Sequence, residues 1–273
     1  MRGLKTRDNR AGMTAFLFLF MIFGCREVLT SKAPPPNKNP KEEYEDLLRR
    51  AVTREGYVNY AKLRKNRKAL DRYVAWLHTD KAWKGPRPTE RHADWLNTYN
   101  ALTLFQVLER GTPDSVVDVP GWFGGKGAKF YSGTQFRLGP EHLSLSEIEH
   151  ERIRMSELDL RSHSAMNHAT RSSPPLSRDL YSKFTLPRQL RKQFGRWVDD
   201  PERGVRFEDD GAVFNPVFDW YARDFEFMSA GADLCTIAAR YASGERVAKF
   251  EALAEQGCPH TFFAYDWTLN SPP

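Results

Sequence analysis

Helical periodicity covers most of this chain, and its few strands come in local pairs rather than in βαβ alternation. Together these predict an α+β fold, a helix-rich single domain with a small antiparallel sheet. Composition is the third observation. The 273 residues are 40% hydrophobic, 28% charged and 13% aromatic, enough apolar and aromatic surface for a packed core and too much for general disorder.

The first element is an address. Arg2, Lys5, Arg7 and Arg10 against Asp8 give residues 1–24 a charge of +3, half of the chain's formal +6. The body is therefore nearly balanced and has no concentrated basic stripe, which argues against nucleic acid as a partner. The apolar run in "MTAFLFLFMIFGC", Met13–Cys25, is about a dozen residues long. That is short of the roughly 20 a spanning helix needs and right for the core of a secretory signal. Its end, Ile22-Phe23-Gly24-Cys25, resembles the bacterial lipoprotein signal, with Phe23 bulkier than the pattern's usual residue. The resemblance implies that residues 1–24 are removed and that Cys25 is fatty-acylated and anchors the chain. Arg26 in place of Asp implies the outer membrane. Residues 25–40, rich in Pro and Lys, read as an extended tether, and residues 41–273 as the globular domain.

From Pro40 the body turns helical. "KEEYEDLLRRAV" spaces Tyr44, Leu47, Leu48 and Val52 along one face, and "YAKLRKNRKALDRYVAWL" repeats the pattern with Leu63, Leu70, Tyr73, Val74 and Leu77. The strongest helix starts near Pro88, carries Trp95, Leu96, Tyr99, Leu102, Phe105 and Leu108, and stops at Gly111. "AKFYSGTQFRLG" predicts two short strands around Ser132-Gly133. Ser144 and Glu147 make the Ser-x-x-Glu start of a capping box, so a helix follows. "SHSAMNH" reads as a short strand and "LPRQLRKQFGRWV" as a helix. "VRFEDDGAVF" turns at Asp210-Gly211 between two β-like runs. "NPVFDWYARDF" opens another helix, two more follow over 230–256, and "HTFFAYDW" closes as a strand. Cys235 and Cys258 fit either one disulfide of an exported protein or two buried small hydrophobes. They are too few and too far apart for a zinc motif.

The candidate chemistry concentrates in "SHSAMNHATRSSPPL", Ser162–Leu176. As metal ligands His163 and His168 fail on geometry. Five residues apart, they face opposite sides of a strand and lie about 140° apart on a helix, so no metal is expected. As a nucleophilic centre, Ser173 or Ser172 needs His163 as base and an orienting third group; Glu149 or Asn167 offers one, but there is no Gly-x-Ser-x-Gly elbow. Glu149 and His150 follow the capping box, either paired with a distant partner or on a solvated face. Asn97 and Asn100 lie three apart on an otherwise apolar helix and, if buried, must be hydrogen-bonded. They are expected to hold a neighbouring loop, with "SHSAMNH" the candidate. With His150, Arg161, Asn167 and His168 they complete the expected binding set.

Taken in order, these segments resemble the domain-of-unknown-function family 547. The resemblance rests on "WLNTYNALTL" (Trp95–Leu104), "SLSEIEH" (Ser144–His150), the Asp159, Arg161, His163 spacing, the block of Phe218, Trp220 or Tyr221, Asp224 and Phe225, and "YDWTLN" (Tyr265–Asn270). It spans about residues 45–270. In the family's central segment two cysteines stand where this chain has His168 and Ser173, so the resemblance implies that thiol chemistry is lost here. An α+β domain built around Cys and His also invites analogy with papain-like or transglutaminase-like hydrolases, an analogy of fold alone. Two functions follow. One is a non-catalytic envelope lipoprotein that binds a small-molecule or peptide ligand without a cofactor. The other is a hydrolase or transferase with His163 as base, Ser173 or a bound water as nucleophile, and Glu149 or Asn167 as orienter. The weak nucleophile signal favours the first.

Overall fold

The computed structural model describes residues 26–84, 91–119, 127–208 and 211–273. The signal segment, Cys25, Pro88 and Asp210 lie outside the described residues. The chain is helix-rich α+β, with two three-stranded sheets, each a hairpin joined by one parallel strand.

The stretch expected to be a tether enters the fold at once. Strand β1 (Glu27–Leu29) runs parallel to the later strand β2, covering one edge of a hairpin. Helix α1 (Lys41–Ala51) buries Tyr44, Leu47, Leu48 and Ala51, with Glu42 and Glu43 in its first turn and Arg49 and Arg50 in its last, the polarity that the helix dipole favours. The next periodic stretch breaks into α2 (Tyr60–Lys65), capped by the Asn59 side chain, and α3 (Lys68–Leu77). The predicted central helix is α4 (His92–Glu109), in which sixteen of eighteen residues are buried.

Two expectations are corrected here. Ala128–Tyr131 winds into α5 with Phe130 fully buried, so the hairpin forms one step later. Strands β2 (Thr134–Leu138) and β3 (Glu141–Ser144) turn at Gly139-Pro140 rather than Ser132-Gly133. "SHSAMNH" does not form a strand. Residues Leu160–Ala165 form a 3₁₀ helix, because the Asp159 carboxylate accepts the Arg161 N–H and the Ser164 hydroxyl donates to the Arg161 carbonyl. Such local side-chain bonds compete with an extended ladder.

The capping box is present at Ser144 and Glu147. It starts α6 (Leu145–Glu147), which continues as a π-helical stretch, Ile148–Arg154, and then α7 (Met155–Glu157). Helix α8 (Leu186–Val198) carries Pro187 in its first turn, where the missing N–H costs nothing. Strands β4 (Val205–Glu208) and β5 (Gly211–Phe214) pair antiparallel, and β6 (His260–Phe262) adds parallel to β5. Between them come α9 (Val217–Trp220), α10 (Ala222–Met228), α11 (Leu234–Ala239) and α12 (Glu245–Glu255). No described helix is long and apolar enough to cross a membrane.

Two hydrophobic clusters build the interior. The larger gathers α1–α4 and the first sheet, and the smaller gathers Phe194, Trp197, Phe214, Phe218, Phe225 and Phe250. Leu160 belongs to the smaller cluster, while Ala165 and Met166 belong to the larger. The polar segment therefore runs along the seam between the two cores. Gly56 pins its far end. At φ +90 a Cβ there would lie 2.7 Å from Pro175 Cβ and 2.8 Å from Leu176 N, and only glycine accepts both the angle and the approach.

Cys235 and Cys258 form a disulfide with Cα atoms 5.6 Å apart, 23 residues apart in sequence. It takes up both sulfurs of the Asp233–Cys235–Cys258 group, the one such cluster of His, Cys and carboxylate side chains among the described residues. Reduction, or Cys235→Ala/Cys258→Ala, is expected to cost about 3 kcal/mol through the entropy of the opened loop; urea unfolding with and without reductant measures it.

Candidate functional site

The site is hung on the amide side chains of α4. Asn100 Nδ2 donates to the Ala165 carbonyl at 2.8 Å, and Asn100 Oδ1 accepts the Asn167 N–H at 2.9 Å. Asn97 does the same for Tyr181, at 2.8 and 2.9 Å. The expectation that these amides hold a loop's backbone thus holds for both, and "SHSAMNH" is the loop only for Asn100. Asn167 repeats the device. Its Nδ2 donates to the Pro174 carbonyl, and its Oδ1 accepts from the Ala169 N–H and from Asn270 Nδ2. Those bonds hold Ala169 at φ +58, a conformation that costs a non-glycine residue energy.

On this frame stand two imidazole–carboxylate pairs. His163 Nε2 donates to Asp224 Oδ2 at 3.0 Å. Arg154 grips the same carboxylate with two N–H groups, at 2.7 and 2.9 Å. His168 Nε2 lies 3.5 Å from Glu149 Oε2, and the Tyr221 hydroxyl donates to Glu149 Oε1. Tyr221 joins the two pairs, since its ring centroid is 4.4 Å from that of His163 and 4.5 Å from the Arg154 guanidinium carbon. The rings of Tyr99 and Tyr131 meet His168 edge to face at 5.8 and 5.9 Å. His168 Nδ1 is buried without a hydrogen-bond partner.

The electrostatics follow from this packing. Burial would raise the Glu149 carboxyl, but hydrogen bonding to His168 and Tyr221 outweighs it and holds the group at about 2. Asp224 is likewise pushed up by burial and then held well below the usual carboxylate range by His163 and Arg154. Burial pushes His163 down, and Asp224 only partly restores it. Burial and the Glu149 charge push the Tyr221 hydroxyl far up. At neutral pH the centre therefore holds two carboxylates and a neutral His163.

Ser173 is not paired as expected. Its Oγ accepts the main-chain N–H groups of His168 and Thr170, at 3.1 and 3.2 Å, and shares hydrogen bonds with Thr170 Oγ1 and the Tyr265 hydroxyl, at 2.7 and 3.4 Å. No imidazole or carboxylate among the described residues bonds it, because His163 points into Asp224 instead. Ser172 is tied to the Asp266 N–H through its hydroxyl. Asn167 spends all its polar atoms on loop backbone and on Asn270, so it orients no histidine.

Glu149 is buried with its distant partners, the first of the two expected alternatives, whereas His150 is exposed and meets Arg154. Arg161 stands apart, paired with Asp159 at 2.6 Å and donating to the Pro187 carbonyl. Sequence reasoning missed Arg154, Thr170, Tyr221, Asp224 and Tyr265 as site residues. The signal for three of them was present: Tyr221, Asp224 and Tyr265 lie in segments that carry the family resemblance.

Residues 84–198 match the family model described as "Protein of unknown function, DUF547". The match covers α4 to α8. The Asp224 block and the Tyr265–Asn270 segment, which complete the site, lie beyond it. No curated protein and no solved structure matches.

Asn100→Ala should cost about 3 kcal/mol, because two buried backbone groups lose their partner; denaturant unfolding reads it. Stability should also fall on acidification in two stages. His92, 4% exposed and bonded to Ser162 Oγ, is pushed by burial to about 4. Its contribution is complete above 6.5 and is lost as pH falls toward 4. Glu149 then loses its contribution as pH falls from 4.5 toward 2. Burial lowers His78 and His163 as well, so circular-dichroism melts from pH 8 to 3 should show a falling midpoint whose upper limb is shallower, not abolished, in His92→Gln; a midpoint that rises between pH 7 and 5 contradicts this.

Proposed function

We propose that this chain, which carries a DUF547 domain over residues 84–198, is an envelope lipoprotein whose domain binds a small-molecule or peptide ligand without turning it over. One observation carries the non-catalytic reading. Ser173 Oγ, the expected nucleophile, is 1% exposed, already accepts two backbone N–H groups, and has no base among the described residues. A serine hydroxyl without an adjacent base is a poor nucleophile at neutral pH.

The anchor completes the proposal. Cys25 is fatty-acylated and seats the protein on the outer membrane. Because β1 begins at Glu27, only Arg26 stands between the lipid-bearing residue and the fold, a span of about 7 Å at full extension. The body then rests against the lipid surface rather than swinging on a Pro-rich arm.

A second reading, a hydrolase or transferase with a remodelled centre, is favoured by the Glu149–His168 pair. Its geometry orients an imidazole with a free Nδ1, the arrangement of a general base acting on water. The closed position of that nitrogen weighs against it.

Two measurements test the proposal. Labelled palmitate should enter the full-length protein, and Cys25→Ser should abolish both labelling and membrane association. The purified protein should not hydrolyse ester, amide or glycoside panels above buffer. Turnover lost in both His168→Ala and Glu149→Gln would establish the second reading instead.

A further inference from the structure

Away from the imidazole pairs, a cleft of about 580 Å³ lies between one face of α8 and the loop that follows the Pro-Pro stop. Arg188, Lys192 and Arg196 line it from α8, Arg178 from the loop and Arg54 from the turn after α1. In the sequence three of these cations share one helical stretch and Arg54 and Arg178 lie apart from it; the fold brings all five together.

No direct ion pair neutralises the charge in this cleft. Asp179 is the one carboxylate among its described lining residues, and it is already bound to Arg49 at 3.0 Å. None of the five cations has a carboxylate within salt-bridge distance among the described residues. Arg178 and Arg196 donate to the main-chain carbonyls of Arg49 and Arg54, which orient the guanidinium groups without neutralising them. Arg178 Nε is buried with no partner. Other arginines divide: Arg67, Arg110, Arg154, Arg161 and Arg203 each hold a carboxylate, whereas Arg137 and Arg171, like those of the cleft, donate to main-chain carbonyls; what distinguishes the cleft is that five cations line one cavity.

The spacing is costly as well. Arg188, Lys192 and Arg196 stand at i, i+4 and i+8 on one helix face, where like charges repel. Burial and the charge of Arg203 both push the Arg196 guanidinium down, and Asp200 and Glu55 offset only part of this. A multiply charged anion relieves all of these costs at once. Guanidinium forks and an ammonium suit phosphate oxygens best, and the cleft has the volume of a small-molecule site.

We propose that this cleft binds a phosphate-bearing ligand carrying at least two negative charges in reach of the five cations, either a free phosphate compound or an anionic lipid headgroup. Arg188 and Lys192 are exposed and make the phosphate contacts that the fold itself does not need.

Calorimetric titration of the full chain in neutral detergent, at low salt, with inorganic pyrophosphate and separately with a water-soluble short-chain phosphatidylglycerol, tests it. Binding by either probe should weaken as salt rises. It should fall about thirtyfold in Arg188→Ala/Lys192→Ala, at roughly a kilocalorie per cation near an anionic surface, with the thermal midpoint unchanged or slightly raised. Arg191→Ala, on the same helix but packed over Tyr241, should bind as the parent does. Pyrophosphate alone binding identifies a free phosphate compound, and the lipid alone a headgroup. Absence of binding by both, or an equal loss in Arg191→Ala, overturns the site.

Discussion

The architecture turns on a buried carboxamide. Asn100, 6% exposed on a helix buried on nearly every side, satisfies one carbonyl and one N–H of a loop that has no ladder of its own. Backbone polar groups buried without a partner cost free energy comparable to a lost hydrogen bond, so this loop can cross the interior only where side chains replace a sheet. Asn97, Asn167, Gln193 and Asn215 solve the same problem at neighbouring points; Gln193 alone donates to the carbonyls of Ser164 and Pro175. With its main chain held this way, the segment turns His163 toward α10 and His168 toward the π-helical stretch.

What stands on that frame is an electrostatic arrangement. Two carboxylates are kept ionised in the interior by imidazole, guanidinium and phenol donors, and Tyr221 serves both. The wider winding of Ile148–Arg154 lets Ile148, Glu149 and Ile153 all turn inward, bringing a charged residue into a wall that is otherwise apolar. Such π-helical turns are common at functional sites. The hydroxyls of Thr170 and Ser173 in the same loop and of Tyr265 from the segment after β6 satisfy one another. Where the family resemblance places thiols, this chain has an imidazole set against a carboxylate and a hydroxyl set against backbone.

Much of this was legible in residue spacing. Periodicity is a one-dimensional record of which face meets the core, so α1, α3, α4 and α8 could be read directly. The capping box at Ser144 and Glu147 is a contact across three residues and was equally visible. The two asparagines on an apolar face signalled a buried polar job, and Asn100 does it for the predicted segment. The 3₁₀ helix at Leu160–Ala165 was misread because alternating small and polar residues mimic a strand, while the deciding bonds come from Asp159 and Ser164.

The chain alone thus specified its class, its strong helices and the identity of the polar segment, because each is encoded by neighbours within a few turns. Which histidine meets which carboxylate was settled by packing. His163 and Asp224 are 61 residues apart, His168 and Glu149 lie on different elements, and the cations of the α8 cleft come from three separate stretches. Coulomb attraction and desolvation act over ångströms in space, and no local pattern records distances that only the closing of two hydrophobic cores along one seam brings into being.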